Sequence, residues 1–256
     1  MKKTKIFAFV NQKGGVAKTT SCLNVGAALA ALGKKVLLVD LDAQGSLTKS
    51  VGVMHIPEET PTICEVLKSQ ADASETIQSL EHFDILPADI RLSGCEIELI
   101  SAAGRDFILK EALEPVAKKY DYILIDCSPS LNILTLMALT ASTGIILPVA
   151  AQYMPLDGVN QLLQTLDVVK KRMNPQLKIA GVIITLYDSR RGLDKSIVEA
   201  IQAKFPKEIF ADMVKYNSKV AESAAYGKSV IDYAPNSVGA EAYTSIAREL
   251  VRREEK

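Results

Sequence analysis

The chain has 256 residues, enough to bury a sizeable core without disulfide staples or a structural metal. Hydrophobic residues make up 48% and charged residues 23%, an ordinary balance for a soluble globular protein, and a formal net charge of zero excludes a polycation. That neutrality hides an asymmetry: residues 168–228 hold 12 Lys and Arg against 6 Asp and Glu, a local excess that fits either a solvated lysine-rich surface or a face for nucleic acid or an acidic partner.

Apolar blocks recur along the chain. Residues 6–10 (IFAFV) read as a buried strand, too short for the core of a signal peptide. The stretch NQKGGVAKTT, residues 11–20, follows at once. Residues 21–32 read as a helix, with Cys22, Val25, Leu29 and Leu32 on one face and Gly33 as its stop signal. A second buried strand, 36–39 (VLLV), runs into Asp40. A short strand is expected at 83–86, a largely helical stretch at 97–118, and a third buried strand at 123–125 within YDYILID, which ends at Asp126. Strands at 145–149 and 179–186 follow, with a shorter one near 208–213.

Continuous apolar strands alternating with helices predict an α/β fold: one domain over residues 1–256, with a doubly wound, mostly parallel sheet covered by helices on both faces. No run approaches the roughly 18 apolar residues of a membrane span. Cys22, Cys64, Cys95 and Cys127 are widely spaced without a C-x-x-C pair, which argues against a disulfide framework or zinc site and fits a reducing cytosol. In such a sheet ligands bind beyond the carboxyl ends of the strands. The segments 11–20, 40–45 and 126–130 all follow strand ends and are expected to converge there.

A strand, a Gly-rich turn and a helix N-terminus make an anion hole, because backbone N–H groups and the helix dipole face the same point. Gly14 and Gly15 let the backbone approach a phosphate, Lys18 can reach the β- and γ-phosphates, and Thr19 can place its hydroxyl on Mg²⁺. The ordinary pattern G-x-x-x-x-G-K-[ST] is nevertheless broken at Gln12 and Ala17. If position 17 requires φ > 0, alanine there costs about 1 kcal/mol or more. Asp40, Asp42 and Asp126 supply carboxylates at two strand ends, suited to a nucleotide-bound Mg²⁺ or to orienting an attacking water. Lys13, just ahead of the glycines, is either a solvated loop lysine or a charge delivered to a nucleotide on a second molecule.

These segments together resemble one family. KGGVAKTT is similar to the deviant Walker A motif K-G-G-x-x-K-[ST], whose first lysine is its signature and in which position 17 is free. VLLVDLDAQGS and YDYILIDCSPSLNILTLMALTAS resemble the second and third motifs of the ParA/Soj partitioning ATPases within the MinD/ParA group, and the likeness runs over roughly residues 4–252. The resemblance implies a P-loop NTPase fold and a cytoplasmic, nucleoid-associated ATPase. It implies ATP and Mg²⁺ as ligands, an ATP-dependent sandwich homodimer that binds DNA non-specifically, and a ParB-type partner that stimulates slow hydrolysis.

Carried over to this chain, Lys13 would act in trans. Gly14, Gly15, Val16, Ala17, Lys18, Thr19 and Thr20 would cradle the phosphates. Lys13, Lys18 and Asp42 would be the catalytic set, with Thr19, Asp40 and Asp126 around the metal. Asn217 would remain from the base-binding loop, and Arg190 and Lys219 would contact DNA. The chain departs from the family at Ala43, Ser46, Ser128, Met137 and Lys215-Tyr216. The tail RELVRREEK lacks the apolar stripe of a MinD-like membrane anchor. An iron–sulfur reductase would need Cys95 and Cys127 as ligands, where packing cysteines fit better.

Overall fold

The computed structural model describes residues 3–151 and 156–255. Seven strands, β1 (Lys5–Phe9), β2 (Val36–Leu41), β3 (Gln78–Ser79), β4 (Asp84–Leu86), β5 (Tyr122–Cys127), β6 (Gly144–Ala150) and β7 (Lys178–Thr185), form one sheet. Their spatial order is β3-β4-β2-β5-β1-β6-β7. The two-residue β3 pairs antiparallel with β4, and every other pairing is parallel. This is the expected α/β architecture, with β3 the strand that the sequence pattern did not announce.

Burial on both faces explains the unbroken apolar runs. Ala8, Leu37, Val39, Ile123, Ile125, Ile145 and Leu147 point into one core, among helices Ile108–Ala117, Ile133–Ala141, Leu156–Arg172 and Gly192–Lys204. Their strand neighbours Phe7, Phe9, Leu38, Tyr122, Leu124 and Ile146 point into the other, under helices Lys18–Ala31 and Val238–Glu254. The C-terminal helix buries Tyr243, Ile246, Ala247 and Leu250 there, so its apolar face is used in packing. No described helix is long and apolar enough to cross a membrane.

Three expectations change. The helical stretch 97–118 is two helices, Arg91–Leu99 and Ile108–Ala117, separated by a turn in which Gly104 takes φ 67°. The strand 179–186 stops at Thr185 because Leu186 turns left-handed at φ 53°. Segment 208–213 does not become a full strand. It touches β7 through an isolated bridge, Val182 to Ile209, while the Arg253 guanidinium donates to the carbonyls of Glu208 at 2.8 Å and Ile209 at 2.6 Å. The Glu208 carbonyl also accepts from the Val182 amide of β7 at 2.9 Å, so a side chain of the C-terminal helix and one β7 residue share the segment.

The same guanidinium lies 4.4 Å from the centroid of the Phe210 ring, and Phe210 lies against β7. A Cβ on Gly181 would fall 2.1 Å from Phe210 Cε2, so glycine is what lets the ring seat there. Gly181→Ala is therefore expected to destabilise the protein by about 1–3 kcal/mol through overpacking. Urea unfolding should show this as a lower midpoint at unchanged slope.

Candidate active site

Strand register brings the acids together. Asp126 of β5 is level with Phe9 of β1 on one side and with Asp40 of β2 on the other. The loop that follows β1 therefore begins beside Asp126, with Asp40 one strand beyond it. The chain order reverses around β1, which lies between β5 and β6, and this is the crevice where open α/β sheets bind ligands.

Side chains pin that loop to the sheet. Asn11 Nδ2 donates to the Pro148 carbonyl at 2.7 Å, and Asn11 Oδ1 accepts from the Lys13 amide at 3.0 Å. Gly15 has φ 73° and Ala17 has φ 60°, ψ 38°. Left-handed residues alternating in this way curl a backbone into a nest whose amides line the concave side. Ala17 is also the N-cap of helix Lys18–Ala31 and gives it no side-chain cap, so the first-turn amides remain available to an anion. Position 17 thus does require φ > 0, and alanine bears a cost of about 1–2 kcal/mol there.

Lys18 is buried at 7% exposure, and its Nζ donates to the Lys13 carbonyl at 3.3 Å. Burial lowers its pKa, against the opposing pull of Asp126, Cys127 and Asp42. Lys13 is exposed at the rim, as are Gly14 and Gly15, while Val16 is buried. Thr19 and Thr20 are half-buried at the helix start, and the Thr20 carbonyl accepts from Asn24 Nδ2 at 2.7 Å.

The three carboxylates differ in their partners. Asp40 is fully buried. Its Oδ2 accepts from the Thr48 amide at 2.8 Å and the Thr48 hydroxyl at 2.7 Å, and its Oδ1 accepts from the Asp42 amide at 3.2 Å. Burial pushes its pKa up to about 6 against those hydrogen bonds. Asp42 is half-buried and turns the chain, accepting from the Gln44 amide at 3.0 Å. Asp126 is fully buried, and neither carboxylate oxygen has a hydrogen-bond partner of good geometry among the described residues. Burial, then the Asp40 charge, raise its pKa well above the usual range; the Thr19 hydroxyl and the Lys18 ammonium oppose them.

An unpartnered buried carboxylate beside a threonine hydroxyl fits a hydrated Mg²⁺. No group of three or more His, Cys, Asp or Glu among the described residues could chelate a metal alone. A cation here would complete its shell with phosphate oxygens and water, as Mg²⁺ commonly does.

The remaining expected residues lie apart. Asn217 caps helix Ser218–Ala225 by accepting from the Lys219 amide at 2.8 Å. Arg190 is exposed and held by Asp188 at 2.7 Å, and Lys219 pairs with Glu222 at 2.8 Å. All four cysteines are free and buried. A groove of about 820 Å³ opens at the other end of the sheet, near Lys5, Lys178 and Glu254, and shares no residue with the loops above. Sequence reasoning missed Asn11, Thr48 and Thr185. Thr185 donates its hydroxyl to the Val16 carbonyl at 3.0 Å from 169 positions away, and no local pattern signals such a contact.

The AAA domain family matches residues 4–179. The chain is 42% identical to the sporulation initiation inhibitor protein Soj of Bacillus subtilis, covering 96% of this chain and 98% of that one. It is 39% identical to the chromosome partitioning protein ParA of Myxococcus xanthus, over 98% and 89% of the two chains. A crystal structure named cobyrinic acid a,c-diamide synthase, from Mycobacterium smegmatis with bound ADP and magnesium, superposes with a TM-score of 0.86. It shares 36% identity over 99% of this chain and 96% of that one.

The raised carboxyl pKa values set a pH dependence for the nucleotide-free protein. Between its unfolded value of 3.8 and its folded value of about 6, Asp40 binds more protons folded than unfolded, so its contribution falls as pH rises through that window. Asp126, shifted in the same direction, acts with the same sign. Asp126→Asn is therefore expected to stabilise the nucleotide-free protein at pH 7 by about 1–3 kcal/mol, with the gain shrinking towards pH 4. Thermal melts across that range, with and without Mg–ADP, should show the variant starting higher and gaining less from the ligand.

Proposed function

The chain belongs to the ParA/Soj family of partitioning ATPases, and on that premise we propose that it hydrolyses ATP as a slow switch for DNA partitioning. The observation that carries this reading is Asp126, a buried and unpartnered carboxylate beside Thr19 at the base of a left-handed anion-binding curl. Residues 14–20 cradle the phosphates. Lys18 leaves the Lys13 carbonyl for the β- and γ-phosphates. Thr19 and Asp126 hold Mg²⁺, which neutralises phosphate charge, and Asp40 stands behind them fixing the Asp42 amide. Asp42 orients the attacking water. The bound ADP and magnesium of the Mycobacterium smegmatis protein support this ligand pair.

Lys13, exposed at the rim of the loop, completes the site of a second copy in an ATP-bound sandwich dimer. Arg190 and Lys219 contact the DNA backbone without reading sequence. The Lys219–Glu222 pair is exposed and therefore weak, so a phosphate can replace that carboxylate, whereas Asp188 holds Arg190 through two bonds, at 2.9 and 2.7 Å, that a phosphate has to displace together. A ParB-type partner stimulates hydrolysis and releases the protein from DNA, which places the cycle in the cytoplasm on the nucleoid.

The first test is ATP turnover with and without DNA and the partner encoded nearby; turnover indistinguishable from buffer under every condition would overturn the reading. Lys13→Ala is expected to abolish ATP-dependent dimerisation and hydrolysis while nucleotide binding by the monomer persists. Light scattering and a fluorescent-nucleotide titration separate the two effects. For Arg190→Glu, DNA retention should fall with nucleotide binding intact, and the dependence of DNA affinity on salt should become shallower.

A further inference from the structure

Ala17 occupies a backbone conformation that an ordinary phosphate loop gives to glycine. Strain of this kind persists only where the surroundings over-determine it. One motion would relieve it. Rotating the peptide plane between Val16 and Ala17 by half a turn changes only the ψ of residue 16 and the φ of residue 17. It would carry Ala17 from φ 60° to about −120° at its present ψ of 38°, out of the left-handed region. The same rotation would swing the Val16 carbonyl into the concave side of the nest and turn the Ala17 amide away. A phosphate would then meet an acceptor where it needs a donor.

The Val16 carbonyl is held against that rotation. Thr185 Oγ1 donates to it at 3.0 Å, and Thr185 is fully buried. Thr185 is itself fixed, as the last residue of β7, with its carbonyl accepting from the Ala151 amide at 2.9 Å. Flipping the peptide would therefore leave a buried hydroxyl without its acceptor. We propose that Thr185 is a positioning residue for the phosphate loop: its hydroxyl locks the Val16–Ala17 peptide in the orientation that keeps the Ala17 amide aimed at the nucleotide. This chain needs such a lock because residue 17 is alanine. The proposal rests on the reading of this loop as a nucleotide site and adds a residue to it from the far side of β6.

The test is a double-mutant cycle read by titration with a fluorescent ADP analogue and Mg²⁺. Thr185→Val keeps the shape and burial but removes the hydroxyl. It is expected to weaken nucleotide binding by about tenfold or more in the wild-type background, and to raise KM more than it lowers kcat. In the Ala17→Gly background the same substitution is expected to cost less than about threefold, because glycine has no strain to relieve by flipping. Thr185→Ser, which keeps the hydroxyl, should retain most of the affinity, and it carries the comparison if Thr185→Val fails to fold. A role in stability alone would lower the melting temperature equally in both backgrounds and leave affinity unchanged. Equal affinity loss in the two backgrounds, undiminished binding by Thr185→Val, or loss in Thr185→Ser as large as in Thr185→Val would each overturn the proposal. Failure of the wild-type protein to bind the analogue would instead overturn the nucleotide-site reading itself.

Discussion

Most of the site's architecture depends on one unfavourable placement, the charge of Asp126 in the interior without a hydrogen-bond partner. A buried carboxylate of this kind is costly unless paired, and Asp40, level with it on the neighbouring strand, adds repulsion. The sheet can hold the two together because β1, β2 and β5 are apolar on both faces and locked in register. Against them, and against the added negative charge of Asp42, stand the Lys18 ammonium, the Thr19 hydroxyl and the free amides of an uncapped helix. Those groups leave the charge undercompensated, and a magnesium–nucleotide pair would complete the balance. Ligand binding and local stability then become the same free energy, so the empty protein is held short of its most stable state.

The two acids divide the work by their partners. Asp40 has both oxygens engaged, and through Thr48 it reaches the amide of Ala88, because the Thr48 hydroxyl also accepts from that amide at 3.0 Å. Asp40 is thereby bonded to helix Ser46–Ser50 and, through it, to the chain after β4. Beyond that short helix, Gly52 lies against Gly227, where a Cβ on Gly227 would come within 2.7 Å of the Gly52 Cα. Gly227 ends the turn after helix Ser218–Ala225, which carries Lys219. Side-chain hydrogen bonds of Asp40 and Thr48 and the close backbone approach of Gly52 and Gly227 thus lie between the acids and the helix that carries Lys219.

Much of this was legible in the sequence because its signals are local. Apolar runs marked β1, β2, β5, β6 and β7, and their place after strand ends assigned the loops after β1, β2 and β5 to one site, in keeping with the three family-like motifs. What stayed hidden depends on distant partners. The break between Arg91–Leu99 and Ile108–Ala117 lies inside a stretch of good helix formers and is set by a left-handed glycine. Segment 208–213 has a strand's composition, yet it pairs with β7 only through an isolated bridge at Ile209, whose carbonyl accepts from Arg253. The φ of Ala17 could be posed only as a condition, because an alanine does not announce a left-handed backbone; the contact from Thr185 that accompanies it is invisible to any local pattern.

The departures from the family's motifs are absorbed in the walls of the site. Met137 is fully buried on helix Ile133–Ala141, in the core that holds Leu134 and Ala138, where a polar side chain would need a partner of its own. Ser128 bonds the hydroxyl of Ser130 at 3.0 Å, and Thr135 donates to the Ser130 carbonyl at 2.7 Å, so the loop after β5 is tied without a second proline. Ala43 packs against the core at the turn that Asp42 makes. In the altered base loop, Asn217 Oδ1 is already committed to capping a helix, which leaves its amide nitrogen as the group available to a purine. Lys215 and Tyr216 are both exposed beside it. Packing at Met137 and Ala43 and local hydrogen bonds at Ser128 and Asn217 thus hold these segments in place around the site.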